Sequence, residues 1–462
     1  MIRTTLFALI AFLVSCNPPE KTNVVIIMAD DMGYGDLGSY NSDSGIPTPN
    51  MDELASEGMR FTDAHSPSGV CTPTRYSLLT GRYAWRLPEL ASGVTNGYSP
   101  LIMDTNRVTI ADIMSETGYH TAVIGKWHLG LGDLDSTHYD APLAPGPRAL
   151  GFDYFFGIPA SLDMAPYVWV ENEHPTSPPT EYADNPIGCC IGNFWRSGAI
   201  AADFDHIDVL PEIAQRASDY IKERAEEETP FFLYVPLAAP HTPWLPTDEF
   251  AGTSQAGEYG DFVVMVDDAI GQIVAALAEH HQADNTLLIV TSDNGAYWPP
   301  QIQERFEHQA NRPWRGMKAD IHEGGHRIPL IARWPGVISA GSVTDELVVH
   351  TDFFATLADL GGTQHQGKDS FSLLPVFLGG HGARKEAVHQ SIHGMLAIRK
   401  GAWKLIDGQG SGGFTQVDVP PDAPPRQLYN LDEDPAETTN QYEIYPEIAA
   451  SLIEDLDSLR SQ

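Results

Sequence analysis

The sequence predicts an α/β fold: a large, mainly parallel or mixed sheet flanked by helices, followed by a small C-terminal antiparallel sheet with a helix. Three observations predict it. Short apolar runs rich in β-branched and aromatic residues recur along the chain, as buried strands of a parallel sheet require. Segments with helical spacing lie between them, the alternation of a sheet covered on both faces. Each run also ends in a polar cluster, and ligands of such sheets collect beyond the carboxyl ends of the strands.

The elements follow in order. "MIRTT" precedes an apolar run, Leu6–Val14, of signal-peptide length and too short to span a bilayer as a helix. "LVSC" then ends at Cys16 in the pattern of a bacterial lipoprotein box, whose cysteine carries the lipid. Residues 1–16 are therefore expected to be a lipoprotein signal peptide and 17–22 a short stiff tether. The body is expected to be exported and lipid-anchored to a bacterial membrane, in the periplasm or at the cell surface. "NVVIIMADDMGYGD" gives a strand at Val24–Met28 that leads to Asp30 and Asp31. "TPNMDELASEG" predicts a helix over 48–58, with a Thr cap, an early acidic turn and a Gly stop. Val108–Gly118 has apolar residues at helical spacing and another Gly stop. Thr121–Ile124 is a strand leading to Lys126 and His128. Residues 130–205, rich in Pro, Gly and aromatics, predict long loops over one face of the sheet, where selectivity often resides. "VLPEIAQRASDYIKERAEEE" and "DFVVMVDDAIGQIVAALAEH" predict longer amphipathic helices. Between them Phe231–Val235 is a strand leading to His241, and Thr286–Thr291 leads to Asp293 and Asn294. These elements make up an α/β domain over 23–383. An α+β subdomain is expected over 384–462. It has two strands about a Lys-Gly turn in "GMLAIRKGAWKLI", a third in "QLYNLDEDPAE" and a helix in "PEIAASLIEDLDSLRSQ".

Composition narrows the partners. Of 462 residues, 27 are basic and 62 acidic, a net charge of −35, so the phosphates of a nucleic acid would meet a repulsive field. The acidity reads as a solubility device, suited to a salty habitat. Besides Cys16 the chain holds Cys71, Cys189 and Cys190, and three cysteines do not pair evenly. Adjacent Cys189 and Cys190 read as two thiols rather than a strained vicinal disulfide, and Cys71 has no obvious partner.

The polar clusters carry the chemistry. Asp30, Asp31, Asp293 and Asn294 are hard oxygen donors at two strand ends, suited to Ca2+ or Mg2+ rather than zinc. Lys126 and His128, two apart after a strand, point to the same side. His241 stands between prolines in "AAPHTPW", and Lys318 adds a further cation. A metal flanked by lysines and histidines suits hydrolysis of an oxyanion ester. The residues alone leave phosphoryl and sulfuryl esters undistinguished.

"CTPTR" (Cys71–Arg75) followed by "LLTGR" (Leu78–Arg82) resembles the signature of the formylglycine-dependent (type I) sulfatases of the alkaline phosphatase superfamily. The resemblance runs through "ADDMGYGDLG", "GKWHLG", "APHTPW", "SDNG", "KADIHEGGHRIP" and "AIRKGAWKLI" and covers nearly the whole chain. It implies an alkaline-phosphatase-like fold with the catalytic sulfatase domain over 23–383. The activity it implies is sulfate-ester hydrolysis, and the exported, lipid-anchored type points to a sulfated polysaccharide or oligosaccharide. It further implies that a formylglycine-generating or anaerobic sulfatase-maturing enzyme converts Cys71 to formylglycine, whose hydrate supplies the nucleophile. The metal implied is Ca2+, in preference to Mg2+, on Asp30, Asp31, Asp293, Asn294 and residue 71. By the same resemblance Arg75 holds the diol, and Lys126 and Lys318 neutralise the sulfate oxygens. His241 is the general acid, and His128 takes the proton that lets the aldehyde reform.

Two positions depart from the family pattern. Thr74 stands where Ser or Ala is commoner, and His326 in "EGGHRIP" where a small or branched apolar residue is usual. His326 and His322, which follows Lys318 by four residues, are read as candidate substrate contacts. Tyr167, Trp169 and Trp195 are candidate stacking platforms for sugar rings. Two other readings stand beside the sulfatase: a formylglycine-dependent phosphonate monoester or phosphodiester hydrolase, and a sulfated-glycan-binding lipoprotein without activity.

Overall fold

The computed structural model describes residues 21–185 and 191–462. Cys16 with its signal peptide, and the Cys189–Cys190 pair, lie outside the described residues. Among the described residues no helix is long and apolar enough to cross a membrane.

Ten strands form the main sheet: β1 (Asn23–Ala29), β2 (Met59–Phe61), β3 (His120–Lys126), β4 (Tyr154–Ile158), β5 (Val170–Glu171), β6 (His174–Pro175), β7 (Phe231–Pro236), β8 (Thr286–Ser292), β9 (Leu330–Arg333) and β10 (Ser342–Thr344). Their order across the sheet is β10-β2-β9-β8-β1-β7-β3-β4-β5-β6. Every residue of β1, β7 and β8 is buried, which explains why their sequences run apolar without alternation. The five strands β8, β1, β7, β3 and β4 are mutually parallel, so their carboxyl ends share one edge. Antiparallel β9 joins β8 to β2 and makes the sheet mixed.

Helices α1 (Pro49–Glu57), α4 (Val209–Arg224) and α5 (Gly257–Glu279) pack together, and α2 (Cys71–Thr80), α3 (Ile110–Glu116) and α6 (Asp352–Gly361) form a second group. Helix α3 starts with a reciprocal cap between Thr109 and Asp112. Helix α1 differs from expectation. Thr48 makes no side-chain cap, and its hydroxyl bonds Asp52 and the Gly38 N–H instead. The carboxylate of Asp267, on α5, accepts from Asn50 N at 3.0 Å, Met51 N at 2.8 Å and Asn50 Nδ2 at 2.8 Å. A neighbouring helix thus satisfies the N–H groups that a local cap was expected to take.

The described part of the stretch 130–205, residues 130–185 and 191–205, holds more regular structure than its composition predicts. It holds β4, which pairs in parallel with β3, and the short β5 and β6 that extend the sheet edge. Gly125 and Gly157 lie side by side here, and a Cβ on Gly157 would stand 1.7 Å from the Gly125 carbonyl oxygen. A second sheet of four antiparallel strands follows: β11 (Glu386–Gln390), β12 (Leu396–Lys400), β13 (Trp403–Ile406) and β14 (Gln427–Asn430). Helix α7 (Pro446–Ser461) packs on β12 and β13.

Candidate active site

Five neighbouring parallel strands deliver polar residues to one edge. Asp30 and Asp31 follow β1, Asp293 and Asn294 follow β8, and His241 lies beyond β7. Lys126 ends β3 with His128 just past it, and Ser161 and Asp163 lie beyond β4. Helix α2 opens at Cys71 on this edge, after an extended Val70, and all ten of its residues are buried. Pro73 falls in its first turn, where no backbone N–H is needed. Asp31 and His128 hold left-handed backbone conformations, φ 67° and 58°, of the kind that functional sites retain at about 1–3 kcal/mol each.

These residues make one connected cluster. Cys71 Sγ is 3.4 Å from Asp30 Oδ1, and Lys126 Nζ is 2.5 Å from Asp30 Oδ2. Arg75 donates to Asp293 Oδ2 at 2.8 Å and to the Lys126 carbonyl at 2.8 Å. Lys318 Nζ donates to Asp31 Oδ2 at 2.6 Å, and Asn294 Nδ2 donates to Asp31 Oδ1 at 2.7 Å. Ser161 Oγ bridges Lys126 Nζ at 2.5 Å and His241 Nε2 at 3.4 Å. The other His241 nitrogen, Nδ1, is 2.5 Å from the Thr242 carbonyl, which leaves Nε2 as the atom that titrates. His128 Nε2 bonds the Thr95 carbonyl at 2.8 Å, so Nδ1, which has no partner among the described residues, carries the lone pair.

The electrostatics follow from this crowding. Burial opposes the charge on Asp30, but Lys126, His241 and Arg75 outweigh it and hold its carboxyl well below the usual range. Burial, then the negative Asp30, pushes Asp293 up. Burial first and Asp30 second also raise the Cys71 thiol, which therefore stays protonated. Burial and the nearby Lys126 and Arg75 keep His128 neutral. Burial works against the charge of Lys318, yet Asp31 raises its pKa overall.

A hard divalent cation fits this cluster. Asp30, Asp31, Cys71 and His241 each place a ligand atom within 4.8 Å of the others, and Asp293 adjoins them through Asp31 N and Arg75. Asn294 Oδ1 is buried without a hydrogen-bond partner among the described residues, an oxygen that a cation would satisfy. Three carboxylates and three cationic side chains cancel, so a bound dication would leave the site positive, as an anionic substrate requires.

Above the cluster opens a cavity of ≈180 Å3 whose walls include Asp31, Cys71, His128, His241 and Lys318. Ser161, Asp163, Arg196, Tyr297 and Phe414 also line it, and none of these five stands out in the sequence as a site residue. They come from loops that only the fold brings together, and an isolated Ser, Asp or aromatic residue carries no spacing signal. Two expectations about substrate contacts differ from the structure. His322 and His326 do not line the cavity. Both are fully buried, because the left-handed turn at Ala319 (φ 78°) sends the chain into the interior after Lys318. His326 stacks on His389 and packs beside His65 and Lys404. The loop aromatics are likewise packing residues: Tyr167 and Trp169 are buried, Trp169 on Phe156, and Trp195 stacks on His206. Tyr297 and Phe414, edge to face at 6.1 Å, are the aromatic walls instead.

Comparison with known proteins agrees with this geometry. The profile of the Sulfatase family matches residues 22–363. The chain is 35% identical to an N-acetylgalactosamine-6-O-sulfatase of Bacteroides thetaiotaomicron over 98% of each chain. It is 32% identical to human arylsulfatase A, covering 99% of this chain and 89% of that one. A solved structure from work on the metabolism of multiple glycosaminoglycans by Bacteroides thetaiotaomicron superposes with a TM-score of 0.85 at 34% identity, over 96% of this chain and all of that one. The chain belongs to the sulfatase family of the alkaline phosphatase superfamily, and it is a sulfuric ester hydrolase.

Proposed function

We propose that the protein is an exported, lipid-anchored sulfatase that removes sulfate from a sulfated glycan through a formylglycine made from Cys71. The observation that carries this reading is the meeting of Cys71, an oxygen-rich cation site and three basic side chains at one sheet edge, inside a family of sulfate-ester hydrolases. A buried neutral thiol is a poor nucleophile, whereas a hydrated aldehyde offers two hydroxyls at the same place. The glycan follows from the N-acetylgalactosamine-6-O-sulfatase relative, so N-acetylgalactosamine 6-sulfate is the first sugar to test.

In this reading Asp30, Asp31, Asp293, Asn294 and residue 71 would hold Ca2+, which would lower the pKa of the attacking hydroxyl and offset sulfate charge. Arg75 orients the diol, and Lys126 and Lys318 face the sulfate oxygens. One diol hydroxyl gives its proton to Asp293, and its oxygen forms a bond to sulfur as the bond from sulfur to the sugar oxygen breaks. His241 Nε2 donates a proton to that departing oxygen. An arriving sulfate ester favours the protonated imidazole that this step needs, against the lowering by burial and Lys318. Neutral His128 then takes the proton of the second hydroxyl through Nδ1. The carbon–oxygen bond to sulfate breaks, the aldehyde reforms, and water rehydrates it.

The test compares an aryl sulfate with an aryl phosphonate, using protein whose residue 71 has been identified by peptide mass spectrometry. Aryl sulfate is expected to be the better substrate, and Cys71→Ala is expected to abolish both activities. Dominant phosphonate turnover would replace this reading with a phosphonate hydrolase. Undiminished hydrolysis by Cys71→Ala would remove the assigned nucleophile. For the anchor, fatty-acid labelling in a bacterial host is expected to tag the full chain and not Cys16→Ala.

A further inference from the structure

We propose that Asp163 and Arg196 form a hydroxyl-reading pair. Asp163 accepts a hydrogen bond from a free hydroxyl next to the sulfated position of the sugar, and the pair rejects substrates carrying a second sulfate there. The inference rests on the sulfatase reading above and specifies the substrate it takes.

Asp163 occupies the tight turn Ser161–Met164, closed by a hydrogen bond from Met164 N to the Ser161 carbonyl at 2.9 Å. Ser161 is the residue that touches both Lys126 and His241, the groups assigned to the sulfate and to the leaving oxygen. The turn is therefore pinned to the reacting centre at one end, with Asp163 two residues further along the cavity wall. Asp163 is only 6% exposed. Its Oδ2 is ion-paired with Arg196 Nη1, and Arg196 N donates to the Asp163 backbone carbonyl at 3.0 Å, so Arg196 holds both the side chain and the backbone of Asp163. Oδ1 is buried and has no hydrogen-bond partner among the described residues. The Arg196 side chain, 53% exposed, lines the same cavity.

A buried carboxylate oxygen without a donor is an unfavourable state that a ligand can relieve. The matching ligand group must donate a hydrogen and be neutral, which describes a sugar hydroxyl. A sulfate in that position offers no hydrogen and sets an anion against the carboxylate, so selectivity comes from the penalty as much as from the bond. None of this takes part in the sulfuryl transfer. Asp163 is a specificity residue, and an ester lacking the hydroxyl does not engage it.

The experiment uses the full chain with residue 71 verified as formylglycine. Its probes are 4-nitrophenyl sulfate, monosulfated N-acetylgalactosamine, galactose and N-acetylglucosamine, and the disulfated counterparts of these sugars. Wild type is expected to prefer a monosulfated sugar to its vicinally disulfated form. In Asp163→Ala, kcat/KM on that sugar is expected to fall about 10- to 100-fold further than on the aryl ester, the range of a hydrogen bond to a charged group. Asp163→Asn keeps the size and the Arg196 contact, and is expected to narrow the mono- to disulfate preference, so it serves even if the alanine variant does not fold. Equal losses on sugar and aryl ester would overturn the inference, as would an unchanged preference in Asp163→Asn. Turnover of the aryl ester with none of the sugars overturns it too. If wild type released sulfate from nothing, the sulfatase reading itself would fall.

Discussion

Cys71 is placed where its own thiol chemistry is suppressed. Burial and the adjacent Asp30 keep it protonated, and the start of α2 fixes it at the cation cluster. If residue 71 works as formylglycine, protein made without a maturing enzyme is expected to melt like the converted form but to turn over an aryl sulfate about 10^3-fold more slowly or worse. His128 gives a second test. If it removes the last hydroxyl proton, His128→Ala should release one alcohol per enzyme in a burst and then stall, with steady turnover down roughly 10^2- to 10^4-fold. A uniformly slower reaction without a burst would place His128 elsewhere in the cycle. Much of this centre was legible because strand-end Asp, Asn, Lys and His residues follow recognisable apolar runs. Ser161, Asp163 and Arg196 were not, since their partners are distant in sequence or lie in aperiodic loops. His322 and His326 were misread for the opposite reason. Closeness in sequence to Lys318 suggested closeness in space, and the backbone reversal at Ala319 breaks that link.

At the scale of elements, the five parallel strands were readable from their buried runs, except β4. Its "YFFGI" is short and sits among Pro- and Gly-rich loops, so only pairing with β3 defines it. The start of α1 shows the same limit. A Thr before an acidic turn signals a local cap, but the donors of this turn are met by Asp267 from a helix more than two hundred residues away. Asp267→Ala strands two backbone N–H groups and the Asn50 amide, and is expected to cost about 1–3 kcal/mol for each donor that water does not reach. Urea unfolding measures this, and an unchanged midpoint would mean that solvent enters the gap. A cation held by Asp30, Asp31, Asp293, Asn294 and residue 71 would couple the elements β1, β8 and α2. Its removal by a chelator is expected to cost about 2.7 kcal/mol of stability relative to a concentration a hundredfold above its Kd, and so to lower the melting temperature as well as the activity. Loss of activity with no change in melting would show that the strand ends hold without it.

For the whole molecule the acidic surface is not where pH sensitivity resides. Histidines buried across the fold control it. Burial lowers His350 to about 3 and His206 to about 4, and it also lowers His65, His326 and His389, which pack together beside Lys404. In the unfolded chain each of these takes up a proton near pH 6.5. In the fold they stay neutral well below that, so between about pH 6.5 and 4 the unfolded state binds more protons. Stability is therefore fully present above pH 6.5 and is lost as the pH falls, by up to about 1.4 kcal/mol per pH unit for each such histidine. Most carboxylates responsible for the net charge of −35 titrate near pH 4. Buried Asp293 and Glu437, pushed up to about 7, and Asp267, pushed up to about 6, act in the opposite sense in this window, but the five histidines outnumber these three, so stability still falls with pH. Urea midpoints at pH 7.5, 6.0 and 5.0 and constant ionic strength are expected to fall in that order. His350 offers a direct check, because burial lowers it to about 3 and its Nε2 lies 3.0 Å from Thr291 Oγ1. Replacing it by Gln should shift stability at all pH values but reduce the slope by one histidine's share. A slope unchanged in His350→Gln, or midpoints flat from pH 7.5 to 5.0, would mean that these imidazoles are charged in the native protein.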